Sequence, residues 1–232
     1  MAGAQLTTET ELHPDALLPP FQWDIALPTD WALVPTHPAH WQRQVDRVVD
    51  DYFAGKRLPT RVRRQVTDTL GAYVATAQKQ KILLSLVKVG VDAQTSAVRN
   101  TSMQLMWTTS APAPASMSPV RRSMEAIRGR AEELTTPAGT AFGLVSVTRR
   151  NPMDPSSPDL QVVQAFHPVP GTTWTLVLSI TTPAVGTADD ARALAVRCIG
   201  SLAWNRSTPD ASVTLGGADS EPSSTRHVFS AG

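Results

Sequence analysis

One cysteine, Cys198, stands in a chain of 232 residues. No internal disulfide can form, so the fold needs no oxidising compartment. The first twenty residues, MAGAQLTTETELHPDALLPP, have no basic start followed by an apolar run and do not read as a secretory signal. The longest apolar runs, such as Ile82 to Val89, are far shorter than a membrane span. These absences predict a soluble, cytoplasmic protein. Nucleotide loops are missing too: there is no G-x-x-x-x-G-K-[ST], and no G-x-G-x-x-G after a strand. The serine nucleophile elbow G-x-S-x-G is also absent. The expectation is a chain with no cofactor.

Charge is sparse, at 18% of residues and a net +1, but unevenly placed. Residues 1–55 carry two basic against eight acidic residues, and residues 56–150 carry fifteen against five. The last third, 151–232, returns to four against seven. Such segregation marks either a basic face for an anionic partner or pairing between the thirds inside the fold. Nineteen prolines cluster outside the periodic segments, as expected for a globular body with proline-rich connections.

Residues 1–20 lack periodicity and read as a flexible lead-in. In FQWDIALP, Phe21, Trp23, Ile25 and Leu27 alternate with Gln22, Asp24 and Ala26, the period of a half-buried strand. Pro28-Thr29-Asp30 is turn chemistry, followed by a short strand at Trp31, Leu33 and Val34. His37 to Phe53 and Thr60 to Gln80 have helical spacing. Ile82 to Val89 and Asn100 to Thr109 predict strands, the second with Met103, Leu105 and Trp107 on one side.

A helix is predicted from Ser118-Pro119 onward. Its stripe is Val120, Met124, Ile127, Ala131 and Leu134, with Ser118 as cap. Phe142 to Thr148 is a strand, and Leu160 to Phe166 with Trp174 to Thr182 form a hairpin around Val169-Pro170-Gly171. A last helix starts near Thr187 and buries Ala191, Leu194, Ala195, Cys198, Ile199 and Leu202. Residues 205–232 read as a disordered tail. Strands come in consecutive groups rather than alternating with helices. That order predicts one α+β domain over residues 21–204, with a largely antiparallel sheet flanked by helices.

Candidate chemistry is thin. His37 and His40 stand three apart, but Pro38 lies between them and no further ligand follows, so the pair reads as helix-start polarity, not a metal site. Cys198 lies on an apolar stripe and reads as a buried thiol. His167 ends a strand among Phe166, Pro168 and Pro170, so it reads as the point where the sheet meets solvent, with a residual claim as a general base. Lys56, Arg57, Arg61, Arg63 and Arg64 form a basic cluster without a zinc finger or recognition-helix pattern. Of six tryptophans, Trp31 and Trp107 are flanked by turn and linker residues and are the candidates for an interaction groove.

Two stretches carry a resemblance. The run PVPGTTWTLVLSITTP with ADDARALAVRCIGSLAW resembles the C-terminal half of uncharacterised actinobacterial proteins, and IALPTDWALVP resembles the "LP-x-x-W" start of domains in the Mog1/PsbP-like group. The likeness spans roughly residues 21–204. It implies an antiparallel sheet sandwiched by helices and a non-catalytic adaptor or assembly role. The two consecutive helices before Ile82 depart from that pattern, and no functional residue carries over.

The leading expectation is therefore a non-enzymatic module that binds another protein, with Arg57, Arg61, Arg63, Arg64, Trp31 and Trp107 as its contact residues. Two alternatives stand beside it. One is an enzyme whose site assembles around His167 from distant residues. The other is a nucleic-acid binder acting through segment 56–64.

Overall fold

A computed structural model describes residues 12–34, 36–39, 41–54, 60–91, 98–150, 159–183, 188–205 and 224–229. Ten strands and four helices appear among them. In chain order they are β1 Gln22–Pro28, β2 Ala32–Leu33, α1 Trp41–Phe53, α2 Thr60–Lys79, β3 Leu84–Val91, β4 Val98–Thr109, α3 Met117–Ile127, β5 Arg130–Thr135, β6 Ala141–Arg149, β7 Leu160–Pro168, β8 Trp174–Pro183, α4 Ala188–Gly200, β9 Ala203–Asn205 and β10 Ser224–Phe229. Seven strands form one sheet in the order β2-β3-β4-β8-β7-β6-β5, and every neighbouring pair is antiparallel. Three more form a small sheet in the order β10-β1-β9. The architecture is the α+β arrangement that the grouping of strands implies.

Strand alternation divides the large sheet into two faces. Leu84 and Leu86 of β3, Met103, Leu105 and Trp107 of β4, and Leu176, Leu178 and Ile180 of β8 fall on one side. Val163 and Ala165 of β7 and Phe142 and Leu144 of β6 continue it. This inner face is covered by β1 and by α4, which contributes Ala191, Ala195, Cys198 and Ile199. The expected alternation of β1 holds: Trp23, Ile25 and Leu27 are buried, and the residues between them are half-buried. Leu12, Ala16 and Leu18, from the expected lead-in, pack against the same core.

The outer face carries the other helices. Val45 and Val49 of α1 and Val62, Val66, Leu70 and Val74 of α2 form a second core with Val87 and Val89 of β3. Trp41 lies against Gly71, where the ring stands 3.6 Å from the position a Cβ would take. At the other end of the sheet, Val120 and Met124 of α3 pack on Val145 of β6. Burying each such stripe removes apolar area from water, which stabilises the docking of otherwise marginal helices.

The central β7–β8 hairpin turns as the sequence implies. Gly171 takes φ 68°, the left-handed region that favours glycine. The Val169 N–H donates to the Trp174 carbonyl at 2.9 Å, and the Thr172 N–H donates to the Val169 carbonyl at 3.2 Å.

The helix expected to run through Leu134 is a correction. It ends at Ile127, and Ala131 and Leu134 belong to strand β5. Arg128 adopts the left-handed region at φ 56° and ψ 40°, and its N–H donates to the Glu125 carbonyl. Gly129 then passes against β6 so closely that a Cβ would fall 2.4 Å from the Ser146 carbonyl oxygen. The 3.6-residue spacing continues past the helix end, but this contact requires an extended chain there. The start also differs: Ser116 is the cap, without a side-chain capping bond, and Ser118 and Pro119 lie in the first turn.

Two bidentate pairs hold β5 in place from opposite sides. Arg192 of α4 donates to Glu132 at 2.7 and 2.8 Å on the inner side. Arg121 of α3 donates to Glu133 at 2.5 and 2.8 Å on the outer side. Both guanidinium groups hold their partner carboxyls below the usual carboxylate value. Within the expected C-terminal tail, Ser224–Phe229 pair with β1, Trp23 opposite Phe229 and Pro28 opposite Ser224.

Replacing Gly129 with alanine tests the β5 junction. The added methyl meets a backbone carbonyl rather than a flexible side chain, so Gly129→Ala should destabilise the protein by about 1–3 kcal/mol. Urea unfolding checks this; an unchanged midpoint would contradict the close approach.

Candidate functional site

On the inner face the apolar alternation of three strands stops at the same level. Lys88 of β3 follows Leu84 and Leu86 in phase, Thr101 of β4 precedes Met103 and Leu105, and Thr182 of β8 follows Leu178 and Ile180. The register sets Lys88 opposite Thr101. The Thr101 and Thr182 hydroxyls meet at 3.1 Å, which completes a polar row across three strands. An apolar roof has nothing to pack on there, and a cleft of about 750 Å³ opens above the row. That size lies within the range of ligand-binding clefts.

Two elements wall the cleft. The C-terminal part of β1, from Ala26 to Pro28, forms one side and α4 the other. They are tied together behind it. The Ala26 N–H donates to Ser201 Oγ at 2.9 Å, and that hydroxyl donates to the Cys198 carbonyl at 2.7 Å. At the mouth stands Trp31, half-buried, beside the turn that joins β1 to β2. Asp30 of the same turn accepts from Lys88 Nζ at 2.5 Å, which fixes the turn to β3. Along α4 the cleft is lined by Asp190, Leu194 and Arg197, at spacings of four and three residues, hence on one stripe of the helix.

The lining offers recognition chemistry: an aromatic wall, a row of hydroxyls, and charges of both signs at the rim. Its thiol is not reactive. Cys198 is 2% exposed, and burial pushes its pKa up to about 12 against a smaller opposing effect of Arg197, so it stays protonated. Among the described residues no cluster of three or more His, Cys, Asp or Glu side chains is placed to hold a metal. Among the described residues, too, no helix is long and apolar enough to cross a membrane.

The sequence candidates scatter. Trp31 lines the cleft. Trp107 does not reach the surface: it is 1% exposed, edge-to-face with Phe21 and with Trp23 at centroid distances of 5.8 and 5.1 Å. Arg61, Arg63 and Arg64 lie at the start of α2, on the opposite side of the sheet from the cleft. Arg63 bonds Asp50 of α1, and Arg64 lies 3.8 Å from Asp68 on its own helix. Lys56 and Arg57 lie outside the described residues, as does His40. His37 Nδ1 accepts from the Ala39 N–H at 3.1 Å, a local turn contact.

His167 is a second correction. Expected where the sheet meets solvent, it is wholly buried on the inner face. The reason is β9, which brings Trp204 over the end of β7; its ring centroid lies 5.6 Å from the imidazole, with Phe142 at 6.5 Å on another side. Nε2 is 3.3 Å from Thr140 Oγ1, and Nδ1 has no hydrogen-bond partner among the described residues. Burial lowers its pKa to about 4, so the ring is neutral at pH 7.

The polar row is what sequence reading missed. Each of Lys88, Thr101 and Thr182 looks like an ordinary surface residue. The signal lies in their phase with the buried residues of their own strands, and it becomes a site only when the register aligns the three.

His167 generates a pH prediction. Its folded pKa lies below its unfolded value near 6.5, so its stability contribution is full above pH 6.5. As pH falls toward 4 the unfolded chain takes up a proton that the folded one refuses, and about 3 kcal/mol is lost across that window. Urea unfolding at pH 7 and pH 5 should show a slope that His167→Gln abolishes. An equal slope in both proteins would contradict the assignment.

No protein-family model, curated protein or solved structure matches this chain.

Proposed function

We propose that this protein is a non-enzymatic interaction module that holds a segment of a partner protein in the cleft beside Trp31. The observation that carries this reading is the half-buried indole at the mouth of an open amphipathic cleft. Tryptophan combines a large apolar area with few rotatable bonds, which is why it recurs at the centres of binding surfaces. Here it stands on a turn fixed by the Asp30–Lys88 pair, so little ordering is lost on binding. The resemblance to the Mog1/PsbP-like group, whose members are mostly adaptors and assembly factors, points the same way.

This reading moves the contact surface away from the basic cluster. Arg63 and Arg64 already have acidic neighbours on α1 and α2, so a partner would compete with them.

A photo-crosslinking residue at Ala193, exposed on the cleft rim, should trap the partner in its native cell for identification by mass spectrometry. Trp31→Ala should then lower the crosslinked yield by about tenfold or more. Arg61→Glu with Arg64→Glu should leave it within about twofold. A yield indifferent to Trp31→Ala, with folding intact, would overturn the reading.

A further inference from the structure

The rim charges of the cleft are arranged by sign. Lys88 and Asp30 neutralise each other on the sheet side. On the helix side Asp190 and Arg197 both line the cleft, and neither has an ion-pair partner among the described residues. They stand seven positions apart on the helix, about 10 Å along the axis. Leu194 stands between them on the same stripe and packs partly against the core, with Trp31 also on the lining. The helix therefore presents a negative end, an apolar middle and a positive end in one line.

An extended peptide presents every second side chain to one side, about 6.6 Å apart. A cation, an apolar residue and an anion at alternate positions span about 13 Å between Cα atoms, and flexible lysine and glutamate side chains close the difference from 10 Å. The geometry points to a partner segment of this pattern: an extended stretch with a basic, an apolar and an acidic residue at positions i, i+2 and i+4. The basic residue faces Asp190, the apolar one sits between Leu194 and Trp31, and the acidic one faces Arg197. The hydroxyls of Thr101 and Thr182 lie in the floor beneath. This inference rests on the cleft being the contact site and adds what it selects.

The pairing fixes the order of charges along the helix, not the direction of the peptide, so the same contacts form with the acidic residue at i and the basic one at i+4. Charge identity is the readout. Three blocked peptides serve as probes: Thr-Lys-Thr-Leu-Thr-Glu-Thr and its doubly basic and doubly acidic counterparts, each titrated by calorimetry at low salt. The mixed-charge peptide should bind about three- to tenfold tighter than either like-charged one, and the difference should shrink with added salt. Asp190→Lys should transfer the preference to the doubly acidic peptide, and Arg197→Glu to the doubly basic one. Because Asp190 also favours the helix N-terminus, Asp190→Asn provides a milder variant, which should bind the mixed-charge and doubly acidic peptides equally while still disfavouring the doubly basic one. Circular dichroism checks that each variant folds.

Equal binding of the three peptides, or a preference unmoved by Asp190→Lys and Arg197→Glu, would overturn the charge pattern while leaving the cleft as the contact site. No measurable binding of any peptide, with Trp31-dependent crosslinking intact, would also overturn it. Crosslinking that ignores Trp31 would remove the cleft reading itself.

Discussion

The edge-to-face contact of Trp23 with Trp107, at 5.1 Å and 76°, is the interaction on which the inner face depends. Such a contact contributes about 0.5–1.5 kcal/mol beyond the area that it buries. Its larger effect is positional. β1 belongs to the small sheet, makes no ladder with the large one among the described residues, and packs across it through its side chains. Trp23 fixes one end over β4, and the Ala26 bond to Ser201 fixes the other to α4. The gap between those fixed elements, above a floor that has turned polar, is the cleft.

The large sheet has two edges of different character. β2 covers β3 for only two residues, opposite Leu86 and Val87. β5 pairs along its full length with β6 and, among the described residues, has no strand beyond it. Arg130, Glu132 and Glu133 put charge along that edge, and the two glutamates are held by arginines of α4 and α3. Charged edge strands resist pairing with other chains, so the same residues that dock β5 also guard it.

Much of this was legible in the chain itself. The alternation of Trp23, Ile25 and Leu27 gave β1, the stripe from Val62 to Ala77 gave α2, and Gly171 gave the hairpin turn. Those features depend on residues close in sequence. β5 was hidden because Ala131 and Leu134 continue the spacing of Val120, Met124 and Ile127. The local stop signal is Gly129, but what demands a glycine there is its approach to Ser146, which no local pattern records. His167 was misplaced for the same reason, since Trp204 comes from a distant strand. Trp31, expected as an interaction residue, lines the cleft, and its neighbours Lys88, Thr182 and Arg197 come together only through the register of β3, β4 and β8 and the docking of α4.

The Ala26–Ser201 bond joins residues 175 apart in sequence, and among the described residues β1 pairs with β9 and β10 alone. During synthesis β1 emerges early, and its ladder partners among the described residues are the last elements to follow. Closing so long a loop is entropically costly and slow. The ladders from β3 to β8 need neither β9, β10 nor α4, so they can form while Leu105, Trp107 and Leu178 still lack the helix that covers them. The cleft cannot exist before α4 and Ser201 are made, and a chain interrupted ahead of α4 would carry an open apolar surface in its place.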